Sequence, residues 1–452
     1  MRDRSRAGQA TLLAVSISAG IALASPSIAA DLTATLDAGA GFSVRDDTGA
    51  IERLRVDEAT GNLSRNGALF VHTTGNHNLF VGAGAGSLTT TGFTGANAAF
   101  GEAALGAITT GFWNAALGYR ALAANTSGDR NAALGTRALE HNTTGFFNTA
   151  TGHRSLGSKT TGYYNTSTGT YAMGLNTTGT RNTALGDAAL QSNQNGSRNT
   201  GSGFLALTSN TVGFQNTAAG SVALAYNTSG SKNTAAGAES LRSNTTGSNN
   251  TAAGYGALYS LTSGSSNIAV GYTAGAGLTA GSNNIYLANQ GAAAESGQIR
   301  IGTLGTHTQA TIAGIHGRTS TGGIAVLVNA SGTLGTTTSS ARFKRDVADM
   351  GSASDVLMKL RPVVFHYTEE AVGKEASGEL QYGLIAEEVA DIAPELVAPG
   401  ADGAPYSVKY HVLPALLLNE VQQQRAEIAR LRSRVAELED VRDRAHAKGA
   451  SR

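Results

Sequence analysis

The stretch "TTSSARFKRDV", residues 337–347, is where residue types and spacing invite chemistry. It places hydroxyls at Ser339 and Ser340 a few residues before the amine of Lys344. A serine hydroxyl is a poor nucleophile until a base takes its proton. A lysine serves as that base only where desolvation lowers its affinity for the proton. Residues five apart face opposite ways on a strand and lie about 140° apart on a helix. Ser339 and Lys344 can therefore meet only across a turn or between chains. Taken alone, the hexamer 339–344 within it also reads as a basic linker with no chemistry.

Other candidates are weaker. Glu102 and Asp187 occupy equivalent places in a repeat, each five residues after a leading Asn, but they stand five repeat units apart. Stacked units would separate them by roughly 24 Å, well beyond the ~5–10 Å of a glycosidase carboxylate pair. His307 and His316 are isolated and read as ordinary residues of a β stalk rather than metal ligands. His366 and His411 have no Gly-x-Ser-x-Gly to serve and are expected to pack inside the C-terminal domain. There is no cysteine, which excludes disulfides and thiolate chemistry. No cofactor or metal is expected.

The element that must position the hexamer is a long repeat. The Asn that opens each "NTALG"-like unit recurs at 97, 114, 131, 148, 165, 182, 199, 216, 233, 250, 267 and 284, always 17 residues apart. Asn78 joins the series with a two-residue insertion near 91–95. Eight residues after many of these Asn comes an apolar side chain, from Leu105 and Leu122 through Met173 to Leu258. A unit this short buries a core only by stacking on its neighbours. Between Pro26 and Pro362 there is no proline, as a continuous sheet requires. Each coil is expected to hold two short strands between Gly and Asn corners, with the Leu column inside. Asn-Thr-Thr and Asn-Thr-Ser triplets match the glycosylation pattern, but they recur only because the unit does.

The fold class is thus mainly β, a parallel β-roll or β-solenoid of 17-residue coils, with an α+β C-terminal domain ending in a short coiled coil. Five segments are expected: an export signal at 1–29, an N-terminal β segment at 30–75 with a hairpin around "DDTG", the repeats at 76–290, a β stalk at 291–338, and the C-terminal domain at 339–452. The signal rests on Arg2, Arg4 and Arg6 before an apolar run at 11–24 and a small-x-small site at 27–29. That run is too short to span a bilayer comfortably, and no membrane-spanning segment is expected once it is removed. Charged residues make up 14% of the chain and the net charge is +1, so no nucleic-acid partner is indicated. The expected location is the outside of a bacterial cell, secreted or at the surface. The coiled coil, at about 412–441, has Val421, Ile428 and Val435 at a and Leu417, Leu431 and Leu438 at d, with Gln424 interrupting.

Two resemblances bear on function. "NTALG" (182–186) and "NTAAG" (216–220, 233–237, 250–254) resemble the coil motif of trimeric autotransporter adhesin heads, which implies a left-handed parallel β-roll with three chains side by side. The polar tail "AHAKGASR" lacks the alternating strands of the membrane anchor that ends such adhesins. The C-terminal region strongly resembles the intramolecular chaperone domain of phage endosialidases and tailspikes, a self-processing serine peptidase family. Its landmarks over about 337–440 are "SSARFK" (339–344), "LRPVVFHY" (360–367), "GLIAEEV" (383–389), "APELV" (393–397) and "VKYHVLPALL" (408–417). The resemblance implies a catalytic dyad of Ser339 and Lys344, homotrimer formation, and release of the chaperone by autocleavage beside Ser339. The 339–340 bond is the expected cut; attack by Ser339 on its preceding carbonyl would instead cut before it. The family commonly has Asp where this chain has Ser340.

The resulting expectation is an exported homotrimeric fibre or adhesin with a self-releasing chaperone, binding a cell-surface glycan or protein. Two rivals stand beside it, a prophage-derived tail fibre that binds a host glycan and a secreted polysaccharide-degrading enzyme.

Overall fold

The structure is a computed structural model describing residues 33–449 apart from the short stretches 38–40, 46–47, 49–51, 58, 88–94, 159–160, 316–319, 373 and 401. The expected export signal and His316 lie outside the described residues. Two compact units are present, one ending at His307 and the other beginning at Thr308.

The first unit opens with five antiparallel strands, Thr33–Asp37, Gly41–Arg45, Glu52–Val56, Leu63–Arg65 and Ala68–His72. The second and third pair antiparallel on either side of the expected hairpin turn, whose Asp46, Asp47 and Gly49 lie outside the described residues. Ala68–His72 pairs with Leu79–Val81, and there the sheet turns parallel: Leu79–Val81 pairs with Ala98–Phe100 and each later strand with the next, as far as Ile299–Ile301. The two-residue insertion is absorbed between Leu79 and Ala98, which pair in register.

Among the described residues each coil contains one three-residue strand, not two. The centre of that strand points inward and its flanks outward, as in Ala115–Leu117. The rest of the coil is turn, yet it keeps the ladder: the Leu122 amide donates forward to the Ala138 carbonyl at 3.0 Å, and the Arg120 amide donates back to Glu102 at 2.9 Å. Alternating left-handed residues allow this, with φ of 54° at Arg120 and 53° at Leu122. A left-handed leucine costs about 1–2 kcal/mol, whereas burying its side chain returns about 1.5–3 kcal/mol. Burial wins, because Leu122 and its equivalents Leu105, Leu139, Leu156, Met173, Leu190, Leu207, Leu224, Leu241 and Leu258 are fully buried.

The leading Asn residues are not surface corners. They form a buried ladder in which Asn216 donates its backbone N–H and its Nδ2 to Asn199 Oδ1, at 3.0 and 3.2 Å, and a second Nδ2 bond reaches Gly230 O at 2.8 Å. A second ladder runs through Asn176, Asn193, Asn210, Asn227 and Asn244. Its register passes next to Leu261, and Asn244 Oδ1 finds no partner among the described residues. Asn165 in the first ladder, Asn176, Asn227 and Asn244 in the second, and Asn125 and Asn142, which bond each other in the same way, all stand in glycosylation triplets and are fully buried.

Large aromatic residues plug the solenoid where the inward strand position is otherwise small: Phe80 in the first coil strand and Tyr286 near the last, both fully buried. The Tyr286 hydroxyl donates to Glu295 Oε1 at 2.8 Å, and Arg300 Nε donates to the same carboxylate at 3.0 Å. Those bonds, Arg300's first, hold the Glu295 carboxyl below its ordinary range, while burial pushes the Tyr286 phenol well above its own. A depressed carboxyl contributes stability that is present above about pH 4.3 and lost as the pH falls through the lower folded value. The C-terminal plug should therefore loosen in acid. Hydrogen exchange at the Ile285 amide is expected to speed up between pH 5 and pH 3 more in the wild type than in Glu295→Gln, with exchange chemistry corrected for pH.

The expected stalk is sparse in β structure. Ile299–Ile301 belongs to the solenoid, and beyond it only Leu327–Val328 and Leu334–Gly335 pair among the described residues. The apolar side chains Ile312, Ile324, Val326 and Leu334 all lie exposed, so a single chain has nothing to pack them against.

The second unit has a small core of Val389, Ala393, Leu396, Val397 and Val408. Around it lie a 3-10 segment Gly351–Lys359, the strand pair Val363–Phe365 and Gln381–Gly383, the helix Ala386–Ile392, the pair Val397–Pro399 and Pro405–Val408, and the helix Leu413–Gly449. His366 and His411 are both exposed, contrary to the packing expected of them, because this core is too small to reach either.

Candidate functional site

Ser340 and Lys344 are extended, with ψ of 138° and 144°, and a single 3-10 turn, Ala341–Phe343, lies between them. The turn is closed by the Phe343 amide on Ser340 O and the Lys344 amide on Ala341 O, each at 3.0 Å. It reverses the chain enough for Lys344 Nζ to donate to Ser339 Oγ at 3.3 Å. Within one chain the two residues thus meet across a turn. Ser339, Ser340 and Lys344 are all exposed, and the Arg342 guanidinium lies 4.6 Å from the centre of the exposed Phe343 ring.

The other landmarks bond to one another. Arg361, from "LRPVVFHY", donates Nε to Glu388 Oε2 at 3.1 Å and Nη2 to Oε1, and holds that exposed carboxyl below its usual range. The Leu384 amide donates to the Tyr410 hydroxyl at 2.9 Å, and Lys409 Nζ donates to Glu395 O at 3.0 Å. One group carried no sequence signal. Ser354, fully buried, accepts from Asn419 Nδ2 at 2.7 Å and donates to Glu420 Oε2 at 3.3 Å, tying the 3-10 segment to the start of the long helix. Only the helix contact reveals it, because "GSAS" matches no motif.

Along the long helix the a and d side chains make no core. Leu417, Val421, Ile428, Leu431, Val435 and Leu438 are each between 51% and 58% exposed. Beyond its first turns, which meet the 3-10 segment and the small core, this apolar stripe has no partner among the described residues of the single chain. Among the described residues no helix is long and apolar enough to cross a membrane. His307 Nδ1 accepts the Thr303 amide at 2.9 Å in a local turn.

No curated protein matches the chain. Residues 339–398, from Ser339 itself into the strand Val397–Pro399, match the family described as chaperone of endosialidase, and the C-terminal segment is similar to that family over those residues.

Proposed function

We propose that the chain is an exported homotrimeric fibre whose C-terminal segment guides assembly as an intramolecular chaperone and then cuts itself free beside Ser339. The observation that carries this reading is the approach of Lys344 Nζ to Ser339 Oγ at 3.3 Å, on the first residue of the family match. The exposed a and d stripe supports self-association, since three such helices bury in a coiled coil what one leaves in water. Export rests on the basic and apolar N-terminal residues, and adhesion to a surface glycan or protein follows from an extracellular fibre.

Exposure explains why cutting would wait for assembly. Lysine acts as a base only once desolvated, and Lys344 stands in solvent on the single chain. Neighbouring chains would bury it. Lys344 then takes the Ser339 hydroxyl proton, the oxygen attacks an adjacent carbonyl, the amide C–N bond breaks, and the proton passes to the departing amine. Water hydrolyses the resulting ester and frees the serine. Attack on the Thr338 carbonyl closes a five-membered ring and cuts before Ser339. A cut at 339–340 would close a strained four-membered ring if Ser339 attacked its own carbonyl, so it requires the Ser339 hydroxyl of a neighbouring chain and leaves Ser339 on the fibre.

The test is intact mass spectrometry of wild type beside Ser339→Ala and Lys344→Ala. Wild type should split next to residue 339, with fragment masses naming the bond, while both variants stay whole. An uncut wild type, or variants that split as fast, would remove the peptidase from this reading.

A further inference from the structure

We propose that a stripe of aromatic and arginine side chains along one corner of the solenoid binds a linear acidic polysaccharide, a proposal that rests on the surface-fibre reading and gives its adhesion a site and a class of ligand. The stripe is made by the residue just before each Asn of the first ladder. On five successive coils that residue is Trp113, Arg130, Phe147, Tyr164 and Arg181, and Arg198 follows on the sixth. All six are left-handed, with φ between 53° and 59°. Their side chains therefore leave the backbone in the same direction, one above the next.

The corner itself does not require these side chains. Asn enters the left-handed region more readily than an aromatic residue does, and Asn249 and Asn283 hold the same corner further along the rod. Trp113, Phe147 and Tyr164 are instead 55%, 40% and 47% exposed, and grouped apolar surface left in water marks a place of contact. Its charge is also open. A neighbouring arginine pair, Arg120 and Arg137, is closed by the buried Glu140 carboxylate. In the stripe Arg130 is neutralised by Asp129, but among the described residues Arg181, Arg198 and Lys232 form no ion pair, and all three are exposed.

What the stack leaves uncovered selects the ligand. The Arg130 guanidinium lies 4.4 Å from the Trp113 ring centre and 5.1 Å from that of Phe147. Phe147 stacks on Tyr164 at 5.0 Å, Phe146 beside them stacks on Tyr163 at 4.9 Å, and Arg181 stands 5.9 Å from the Tyr164 ring centre. The facing sides of these rings are thus taken by one another and by guanidinium groups. A nucleobase stacks on an open face and finds none within the stack. Ring edges remain, and they carry the positive end of the aromatic quadrupole. Arg181 and Arg198 sit one rung apart, ~4.8 Å, and like charges so placed repel until an anion joins them. From Arg130 to Lys232 is six rungs, roughly 29 Å, a row that only a linear polymer with repeated negative groups can follow. An acidic polysaccharide supplies them as carboxylates, which arginine binds with two parallel hydrogen bonds.

Trp113, the chain's single tryptophan, reports on the stripe directly. The full-length protein is titrated by calorimetry and by Trp113 fluorescence with three probes: a polymannuronate oligomer long enough to cover the stripe, an uncharged dextran oligomer of the same length, and a thymidine homopolymer. Arg181→Gln combined with Arg198→Gln removes the open charges and keeps the corner, since Gln215 stands left-handed in the same column. Arg53→Gln, at an exposed site in the N-terminal sheet, is the control. Polymannuronate is expected to bind, to shift the Trp113 emission and to weaken with added salt, while dextran does not bind. The double variant should bind at least tenfold more weakly and the control within about twofold of wild type. No binding of polymannuronate, or binding undiminished in the double variant, overturns the proposal, as does tighter binding of the thymidine homopolymer. Sedimentation velocity on the same samples reads assembly separately. A trimer that does not bind removes the stripe and leaves the fibre; a monomer that binds removes the trimer and leaves the stripe.

Discussion

Replacing Gly220 with alanine is expected to remove about 4 kcal/mol or more of solenoid stability, at the extreme end of single substitutions. Gly220 has a φ of +144°, a region that side-chain-bearing residues avoid. An added Cβ would stand 2.5 Å from the carbonyl carbon and oxygen of Gly237 on the next coil. Those atoms are backbone and belong to the same stacked series of glycines, so no side-chain rotation relieves the clash. The coils must part, and parting them stretches the bonds on either side. Circular dichroism in a urea series should show the loss, with Thr217→Ala, an outward change, staying within about 0.5 kcal/mol of wild type. A Gly220→Ala protein as stable as wild type would mean that the coils do not stack as described.

The second large effect is expected at Asn216→Ala. The substitution deletes the acceptor of the Asn233 backbone amide, bonded at 3.0 Å, and the donor to Gly230 O at 2.8 Å. It also leaves Asn199 Oδ1 with one bond fewer. Each buried polar group left unpaired costs about 1–3 kcal/mol, so the sum is roughly 3–6 kcal/mol. Asn216→Asp should not rescue it, because a carboxylate supplies the acceptor but not the donor. Hydrogen exchange would localise the damage: the Asn233 amide should lose its protection first, and a uniform loss along the rod would point to global unfolding instead.

Much of this architecture is legible in the chain because a repeat multiplies each weak signal by the number of coils. The 17-residue interval implies stacking, and the Leu122 column implies an interior; both are as built. The Asn column has the same periodicity but a different meaning. Asn is common at corners, and nothing in its spacing distinguishes an exposed corner from a buried amide ladder, since that depends on whether the next coil's Asn lies directly above. The second strand of each coil misleads for a related reason. Small residues such as those around Leu122 suit an extended segment, yet alternating left-handed residues close the coil in less length while keeping the bonds between coils.

The C-terminal unit divides similarly. Motifs mark its landmarks, and their strands and helices lie close to where the sequence places them. That a single 3-10 turn would bring Lys344 to Ser339 could not be chosen from spacing, which allowed a contact between chains equally well. His366 and His411 were expected inside because the region reads as a folded domain. Its core is in fact a handful of residues around Val389, and a core that small leaves most of the surface, both histidines included, in water.

The aromatic plugs at Phe80 and Tyr286 carry an implication for heredity. Between Asn176 and Asn244 both Asn ladders pass the same bonds from coil to coil, so the joints between those units are interchangeable. A slip of the replication machinery that deletes or duplicates 51 nucleotides, one 17-residue unit, would heal without a scar and change the rod's length by about 4.8 Å. A deletion within those coils that is not a whole number of units would throw the ladders out of phase. The fibre is thus a ruler that mutation adjusts in whole divisions, with the end plugs keeping it closed at each setting.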